Sequence, residues 1–480
     1  MAFTNWNIPW VNRKAWQSMN PCPTATAAWS FTITDRNWVT GNALVCINAT
    51  TQYWYSVQED AYLQLPSFAL AWTFWAWACG VYLPFSNTLT ANGGSTTTIT
   101  TATWVSTLIQ WATVRMLSWT SANLWLDRTI TNVSVDIWWN TTITFTPALP
   151  SAVANNDTFA MTTWRFMVMN AWTTAAWIVK TFDIATWVLT SLATTNLPAT
   201  WGTDWRLVAT PSTDWAFATW TATAWASTTL TNSAKTWTTN QWCNYQIRIT
   251  AWTWKGQVRT IASNTWTVIT VSSAWTTNPD ATSVYSIEWN DDFVYLLWNN
   301  AVTMYRYSIS GNTWTVMSPT TARAWAPIAW MSAWWISKTW NTIWADESNI
   351  KDWRYIYSFR WGTAVLDRFD IAWWTAWAWA WTAVTYKYSQ ETFSAWSSYD
   401  VAWDRIYIQK DATNRFFYFN VVWNDIYPFS TLLQTDWAAL LWDKLFTWRY
   451  VDPTNPTNYI DWLYKLNNTW TQLFRTMIIK

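Results

Sequence analysis

Residues 354–362 (RYIYSFRWG), 365–371 (VLDRFDI) and 381–384 (WTAV) decide the fold of this chain. The first segment is a hydrophobic strand that ends where a pair of glycines would make a turn. The second alternates polar and apolar side chains around an aromatic residue, which is the pattern of a half-buried strand. The third closes the unit. The stretch therefore predicts consecutive antiparallel strands separated by turns.

The same unit recurs along the chain, and such repetition indicates a repeat architecture. Helical periodicity is almost absent, so the sequence predicts an all-β fold. The other four copies begin at residues 165 (RFMVM), 293 (FVYLLW), 405 (RIYI) and 444 (KLFTW).

This pattern resembles the kelch-type β-propeller, whose blades are four-stranded sheets of about 50 residues. The resemblance covers residues 290–476 well and residues 164–210 more loosely. Its glycine doublet is represented by Trp361-Gly362, and residues 320–325 (TTARAW) are similar to the kelch segment in which arginine precedes a small residue and glycine. Five blades are traceable.

Residues 220–288 do not follow the repeat. They resemble a small β module of bacteriophage structural proteins, with a glycine-rich turn at 252–256. Residues 65–81 also resemble phage particle proteins. These two resemblances imply a component of a virion.

The domain prediction follows from these segments. Residues 1–155 are expected to form an N-terminal β domain used for attachment to the particle, with strands at 43–47, 113–117 and 142–145. Its Thr/Ser-rich stretches at 88–103 and 147–158 are expected to be loop and linker. Residues 160–480 are expected to form the kelch-like propeller, interrupted by the β module at about 220–288.

The ratio of tryptophan to glycine is abnormal. The chain has 54 tryptophans and 8 glycines, whereas ordinary usage predicts about 34 glycines. Tryptophans stand at turn positions such as Trp187, Trp289 and Trp298, where glycine reaches positive φ without steric cost. We predict that many of these positions are glycine in the living protein, because a UGA codon read as glycine by the source organism was rendered as tryptophan.

Some tryptophans look genuine, since they stand in contexts typical of strand ends: Trp237, Trp242, Trp275 and Trp314. The alternative is a chain that is truly rich in tryptophan. That alternative predicts large exposed aromatic patches and aggregation.

Composition excludes several classes of function. The net charge is +1 and charged residues make up 11% of the chain, which argues against nucleic acid or an anionic membrane as partner. Histidine is absent, so catalytic sites and metal sites that need it are excluded. The four cysteines, at positions 22, 46, 79 and 243, lack C-x-x-C spacing. Residues 68–85 are uncharged, but we interpret them as a loop and a strand of a soluble protein.

No candidate catalytic, cofactor-binding or metal-binding residue is predicted. Residues 252–256 lack the spacing of a phosphate-binding loop and favour a hairpin turn. The pairs Asp291-Asp292 and Asp346-Glu347 could serve glycoside hydrolysis, but their turn contexts favour solvated acids or a weak calcium site. Residues 212–214 (STD) begin a sialidase-type box that then fails. The sequons at Asn48, Asn132 and Asn140 are expected by chance.

The sequence therefore predicts a non-enzymatic structural protein of a bacteriophage virion, exposed on the particle and involved in host or partner attachment. Its expected partners are other virion proteins and a glycan or protein receptor on the host surface, with homo-oligomers in the particle and neither nucleic acid nor membrane. Two alternatives stay open. One is a kelch-type binding protein on a bacterial surface or secreted from the cell, and the other is a carbohydrate-active propeller enzyme.

Overall fold

The structure is a computed structural model. It describes residues 16–19, 30–34, 43–48, 51–56, 61–65, 79–110, 112–117, 123–172, 176–197, 205–209, 218–251, 255–288, 290–298, 304–317, 334–336, 355–359, 364–370, 381–385, 391–392, 398–402, 405–409, 415–420, 425–431, 437–441, 445–451 and 459–466. In this part of the chain the regular structure is strand, apart from one 3₁₀ turn at Thr107–Ile109. The prediction of an all-β fold is confirmed.

The strands are, in chain order, β1 Trp16–Met19, β2 Ser30–Thr34, β3 Ala43–Asn48, β4 Thr51–Ser56, β5 Ala61–Leu65, β6 Cys79–Phe85, β7 Leu89–Gly94, β8 Thr98–Thr101, β9 Thr113–Met116, β10 Asp127–Val135, β11 Thr141–Thr146, β12 Asn155–Trp172, β13 Ala176–Asp183, β14 Val188–Ser191, β15 Trp205–Ala209, β16 Ala218–Thr221, β17 Ala224–Ala226, β18 Thr229–Thr231, β19 Gln246–Ala251, β20 Val258–Asn264, β21 Val268–Val271, β22 Val284–Glu288, β23 Phe293–Trp298, β24 Met304–Ser308, β25 Thr313–Met317, β26 Trp334–Ile336, β27 Tyr355–Phe359, β28 Val365–Asp370, β29 Trp381–Thr385, β30 Ser398–Ala402, β31 Arg405–Gln409, β32 Arg415–Asn420, β33 Asp425–Thr431, β34 Trp437–Leu441, β35 Leu445–Val451 and β36 Tyr459–Leu466.

Six four-stranded antiparallel sheets form the blades of a propeller-like ring. In chain order they are β2-β3-β4-β5, β6-β12-β13-β14, β15-β23-β24-β25, β26-β27-β28-β29, β30-β31-β32-β33 and β34-β35-β36-β1. Their first strands contact one another in the order β2, β6, β15, β26, β30, β34 and back to β2. The sheets therefore close into a ring whose inner wall is made by the first strand of each blade.

Each blade carries the same short sequence at the end of its third strand: an aromatic residue, a polar residue and then an aliphatic one. The six copies begin at Tyr55, Phe182, Tyr307, Phe369, Phe419 and Tyr464. In the described copies at Phe182, Tyr307, Phe369 and Phe419 the aromatic side chain is buried. Burial of this side chain against the neighbouring blade explains why the pattern repeats.

The sixth blade joins the two ends of the described chain. Its outer strand is β1, which pairs antiparallel with β36 from Trp16 with Leu466 to Met19 with Leu463. Hydrogen bonds between the first and last strands therefore close the ring.

A closed six-stranded antiparallel barrel is inserted between the first and second strands of the second blade. Its strands follow the order β7-β8-β11-β10-β9-β12, and β12 pairs with β7 to close it. The 18-residue strand β12 serves both units, since its first part belongs to the barrel and its second part to the blade. We call this unit barrel 1.

A second unit, barrel 2, is inserted at the same place in the third blade, between β15 and β23. Its strands follow the order β17-β18-β21-β20-β19-β22-β16. The pair β16 and β17 takes the place of β7, because β16 pairs with β22 and β17 pairs with β18. The two barrels thus have the same topology, and we infer an internal duplication.

Equivalent hydrogen bonds support the duplication. In barrel 1 the Nε of Arg128 donates to the carbonyl oxygen of Ala148 at 3.2 Å, and in barrel 2 the Nε of Arg259 donates to that of Ala274 at 2.9 Å. The interiors also correspond. Buried pairs at equivalent positions are Ile99 and Leu230, Val114 and Ile247, Ile130 and Ile261, Ile143 and Ile269, Phe159 and Tyr285, and Met161 and Ile287.

One sequence-based expectation needs correction. The stretch 88–103 was expected to be a loop, but it contains β7 and β8, whose residues alternate between interior and surface. Threonine on the outer face and a few apolar residues on the inner face are enough for a strand of a small barrel. The module at 220–288 is not unique, since barrel 1 repeats it. The domain boundary at 155–160 stays a prediction, and β12 runs across it.

Candidate functional site at the junction of the two barrels

The two barrels project from one face of the ring. In an antiparallel blade the connection from the first to the second strand lies at the same end as the turn from the third to the fourth. Barrel 1 rests on that turn of its own blade, where the backbone N–H of Ser106 donates to the carbonyl oxygen of Ala185 at 2.7 Å. Barrel 2 contacts the third strand of its own blade, β24, where Nη1 of Arg306 donates to Oδ1 of Asn244 at 3.2 Å. The second and third blades are neighbours, so the barrels stand side by side.

Two buried ion pairs occupy the bases of the barrels. In barrel 1 the Nε and Nη2 of Arg115 donate to the two carboxylate oxygens of Asp127, at 2.7 and 2.6 Å. In barrel 2 the Nη2 of Arg248 lies 2.6 Å from Oε2 of Glu288, and the side chains are 6% and 16% exposed. Arg115 and Arg248 occupy equivalent places in the two barrels. Arg115 pairs across the sheet with Asp127, which precedes Arg128, and Arg248 pairs with Val258, which precedes Arg259.

The barrels touch at this place. The guanidinium of Arg248 in barrel 2 lies 3.6 Å from the ring centre of Trp125 in barrel 1, a cation–π contact. Gly256 of barrel 2 approaches so close to Leu124 that a Cβ at this glycine would overlap the leucine side chain. The junction therefore depends on a small residue at 256.

Asp291 is a titratable group whose pKa is influenced by the two arginines of this junction. It follows barrel 2 and precedes the third blade. Burial raises the pKa of Asp291 to about 6, even though Arg248 and Arg115 act to lower it. Arg248 and Arg115 favour the ionised carboxylate, whereas Glu288 and Asp292 disfavour it, so charges of both barrels act on this group. A carboxyl group with a pKa in this range exchanges protons near neutrality, which is a property of functional sites.

The ionisation of Asp291 makes the stability depend on pH. The pKa of Asp291 is raised in the folded state. The contribution of its protonated carboxyl group to folding stability is therefore fully present below about pH 4 and is lost as the pH rises through about 6. We expect Asp291→Asn to raise the free energy of unfolding by about 1–3 kcal/mol at pH 8 and to change it little at pH 4. Urea unfolding at the two pH values measures this difference.

Asp280→Asn is the control, because side-chain hydrogen bonding from Thr282 lowers the pKa of Asp280. This variant is expected to lose stability at pH 8. An equal effect of Asp291→Asn at both pH values would contradict the assignment.

The sequence-based candidates are distributed as follows. Of the pair Asp291-Asp292, the first lies at the junction, and the second accepts hydrogen bonds from the hydroxyl of Ser308 and the N–H of Ser310 at 2.6 and 2.7 Å. Asp292 thus stabilises a turn. The pair at 346–347 and the segment 212–214 lie outside the described residues, as do residues 252–254. Gly256 forms a turn at φ 98°, as expected for a hairpin.

Sequence reasoning missed the arginines of the junction. Arg115 lies on β9 and Arg248 lies on β19, 133 positions apart in the sequence, and only the duplication of the barrel relates them. Cys243 is buried and its thiol donates to the carbonyl oxygen of Ala262 at 3.0 Å. Among the described residues, no group of three or more histidine, cysteine or acidic side chains could hold a metal ion, and no helix could span a membrane.

Comparison with known proteins gives weak similarity to solved structures. No family model matches the chain, and no curated protein matches its sequence. Among solved structures, a phage phi92 endosialidase is similar at a TM-score of 0.25 and 9% identity, over 94% of this chain and 60% of that protein. The chain thus spans 60% of the length of this similar structure. A similarity at this level assigns neither substrate nor active site to the chain.

The comparison nevertheless corrects one prediction. We predicted a protein without enzymatic activity, and this prediction is contradicted because the similar structure belongs to an enzyme. We do not maintain it.

Proposed function

We propose that the protein is a component of a bacteriophage particle that attaches the particle to the host cell through its two barrels. One observation carries this proposal: the same barrel is inserted at the same place in two neighbouring blades. Two copies of one module on a rigid platform can engage two copies of a surface receptor at once. Such bivalent binding raises the overall affinity by about 10²–10⁴.

The sequence resemblances support the placement in a virion. The module at 220–288 resembles phage structural proteins, and barrel 1 now supplies a second copy of it. The repeated aromatic position at the end of each third strand supports a kelch-type propeller. The expected partners are other virion proteins, further copies of this chain, and a glycan or protein receptor on the host.

Competition with phage adsorption tests this function. The purified protein is expected to block adsorption of the phage to its host cells. We expect Ile137→Asp, at an 86% exposed residue of the β10–β11 hairpin, and Thr265→Asp, at the equivalent hairpin of barrel 2, each to weaken the competition. Either single variant is expected to lose the advantage of bivalency, about 10²–10⁴-fold, and the double variant is expected to compete no longer.

Val316→Asp is the matched control, because Val316 is 47% exposed on the outer strand of the third blade and not on a barrel. It is expected to compete like the parent protein. Failure of the parent protein to compete at any concentration would contradict the proposed attachment role. Binding to cells by a protein that is absent from purified particles would favour the alternative, a binding protein of the bacterial surface.

We also propose that many tryptophan positions are glycine in the protein made by the source organism, through a UGA codon read as glycine. The phage would then infect a host that shares this decoding. Exposure supports this proposal, since large apolar side chains are rarely left in water in contiguous groups. Among the residues that the structure describes, five tryptophans are exposed by 41% or more, namely Trp138, Trp139, Trp187, Trp225 and Trp266.

A further inference from the structure

The structure assigns glycine to four individual positions, Trp125, Trp139, Trp187 and Trp225, and tryptophan to four others, Trp237, Trp242, Trp275 and Trp314. This assignment rests on the proposed decoding of UGA as glycine and states which residue stands at each of these positions in the native protein. Its evidence comes from the backbone and from the two internal repeats, neither of which depends on the composition of the chain.

Backbone conformation identifies the first three positions. The φ angles of Trp125, Trp139 and Trp187 are 61°, 65° and 57°. The left-handed region is uncommon for any residue with a Cβ and an outlier for a bulky one. Every other described residue with positive φ is asparagine or glycine, the two types that adopt this conformation most readily. Tryptophan therefore stands where the chain otherwise uses glycine or asparagine.

The barrel duplication supplies a direct comparison for Trp125. In barrel 1 the N–H of Trp125 donates to the carbonyl oxygen of Met116 at 2.7 Å, and in barrel 2 the N–H of Gly256 donates to that of Ile249 at 2.7 Å. Met116 and Ile249 each follow the equivalent arginine of the junction. The same turn thus has glycine at φ 98° in barrel 2 and tryptophan at φ 61° in barrel 1.

Trp225 lies in barrel 2, and its equivalent in barrel 1 is a glycine, Gly94. Trp225 pairs with Leu230 across β17 and β18, as Gly94 pairs with Ile99 across β7 and β8. A Cβ at Gly94 would overlap the carbonyl oxygen of Thr98. Barrel 1 thus requires glycine at the position where barrel 2 has a tryptophan that is 41% exposed.

The propeller repeat gives the comparison for Trp187. The turn of the second blade runs from Asp183 to its partner Val188, and the turn of the third blade runs from Ser308 to Thr313. The two turns have equal length, so Trp187 corresponds to Asn312, whose φ is 46°. A position occupied by asparagine in one blade is suited to glycine in the next.

The buried tryptophans behave differently. Trp237, Trp242, Trp275 and Trp314 are 7, 1, 5 and 1% exposed. Trp275 corresponds to the buried Leu149, since the two N–H groups donate to equivalent carbonyl oxygens of the first hairpin of each barrel. The indole N–H of Trp314 donates to the carbonyl oxygen of Ala193 at 3.0 Å. These side chains fill the core and make specific contacts, so they are genuine.

The assignment changes the candidate site. Glycine at position 125 removes the indole that covers one face of the Arg248 guanidinium. The Nη1 of this arginine is buried and has no hydrogen-bond partner. The junction between the barrels is therefore more open in the native protein and presents an arginine with free donor capacity.

Stability of full-length variants tests the assignment. We expect Trp139→Gly and Trp187→Gly each to shift the urea midpoint upward, because glycine relieves the backbone and removes exposed apolar surface. Trp139→Ala and Trp187→Ala are expected to gain less, since alanine keeps the unfavourable φ. The core controls Trp242→Gly and Trp314→Gly are expected to shift the midpoint downward, and the milder Trp242→Phe reports on the core where the glycine variants fail to fold.

Downward shifts for Trp139→Gly and Trp187→Gly as large as that for Trp242→Phe would overturn the assignment, as would alanine variants at least as stable as the glycine variants. The experiment requires no phage or host. Its failure is thus distinguishable from failure of the attachment role, which only the adsorption assay tests.

Discussion

A chain without its first strand, β1, is expected to lose the closed ring of the propeller. The strand supplies the outer edge of the sixth blade through four residue pairs with β36. Each net hydrogen bond of such a ladder contributes about 0.5–1.5 kcal/mol, so the deletion is expected to cost about 2–6 kcal/mol. It also exposes a long strand edge, which promotes aggregation. Urea unfolding and light scattering of a variant lacking residues 1–20 measure both effects.

A substitution within β1 controls for the loss of chain length. Ser18→Pro places a residue without an N–H and with a fixed φ in the paired strand, and it is expected to shift the urea midpoint in the same direction as the deletion. Ser18→Thr keeps the donor and is expected to leave the midpoint unchanged. A deletion variant that unfolds at the same urea concentration as the parent protein would show that β1 does not close the ring.

Glu288→Gln is the second change with a large expected effect. The variant leaves the guanidinium of Arg248 buried without the carboxylate that its Nε and Nη2 contact, and breaking a buried ion pair in this way costs about 3–5 kcal/mol. Burial acts to raise the pKa of Glu288, but the Arg248 guanidinium outweighs it and holds the pKa below its ordinary value. The stabilisation is therefore present above about pH 4.5 and is lost as the pH falls through the lowered pKa.

The double variant Glu288→Gln with Arg248→Met is the control. Removing both charges eliminates the unpaired cation, so the double variant is expected to be more stable than Glu288→Gln alone at pH 7. Thermal unfolding of the three proteins at pH 7 and pH 3 gives the comparison. Equal stability of Glu288→Gln and the parent protein at pH 7 would contradict a buried pair at the junction.

The blades were predictable where their strands follow one another closely. Residues 354–384 alternate in strands joined by short turns, so the unit is visible in the sequence. The second and third blades are harder to recognise, because a barrel separates their first strand from their second. The first blade, at β2–β5, was assigned to an N-terminal domain since its strands precede the longest insertion.

The duplication of the barrels was hidden for a physical reason. The strands β7 and β8 consist mainly of threonine, asparagine and glycine, which sequence analysis interprets as a loop. A strand of such a barrel buries only one residue in two, so Leu89, Ala91 and Ile99 suffice for the inner face of β7 and β8. Trp125 and Trp225 further obscured the match, since the equivalent positions in the other barrel are Gly256 and Gly94.

The candidate site could not be derived from sequence. Arg115, Arg248 and Asp291 come from three separate segments, and their proximity depends on the insertion of both barrels at the same face. The pair Asp291-Asp292 was noticed as two acids beside a turn, but the sequence gives no reason for their different roles. The hydrogen bonds that Asp292 accepts from Ser308 and Ser310 separate it from Asp291, and they form only in the folded chain.

Peptide mass spectrometry of purified phage particles is the most direct test that this chain is a virion protein with glycine at its turns. Trypsin releases residues 116–128, which include Trp125, and residues 236–248, which include the buried Trp237 and Trp242. We expect the first peptide to carry the mass of glycine at position 125 and the second to carry tryptophan at both of its positions. Tryptophan at position 125, or the absence of both peptides from particles, would contradict the account.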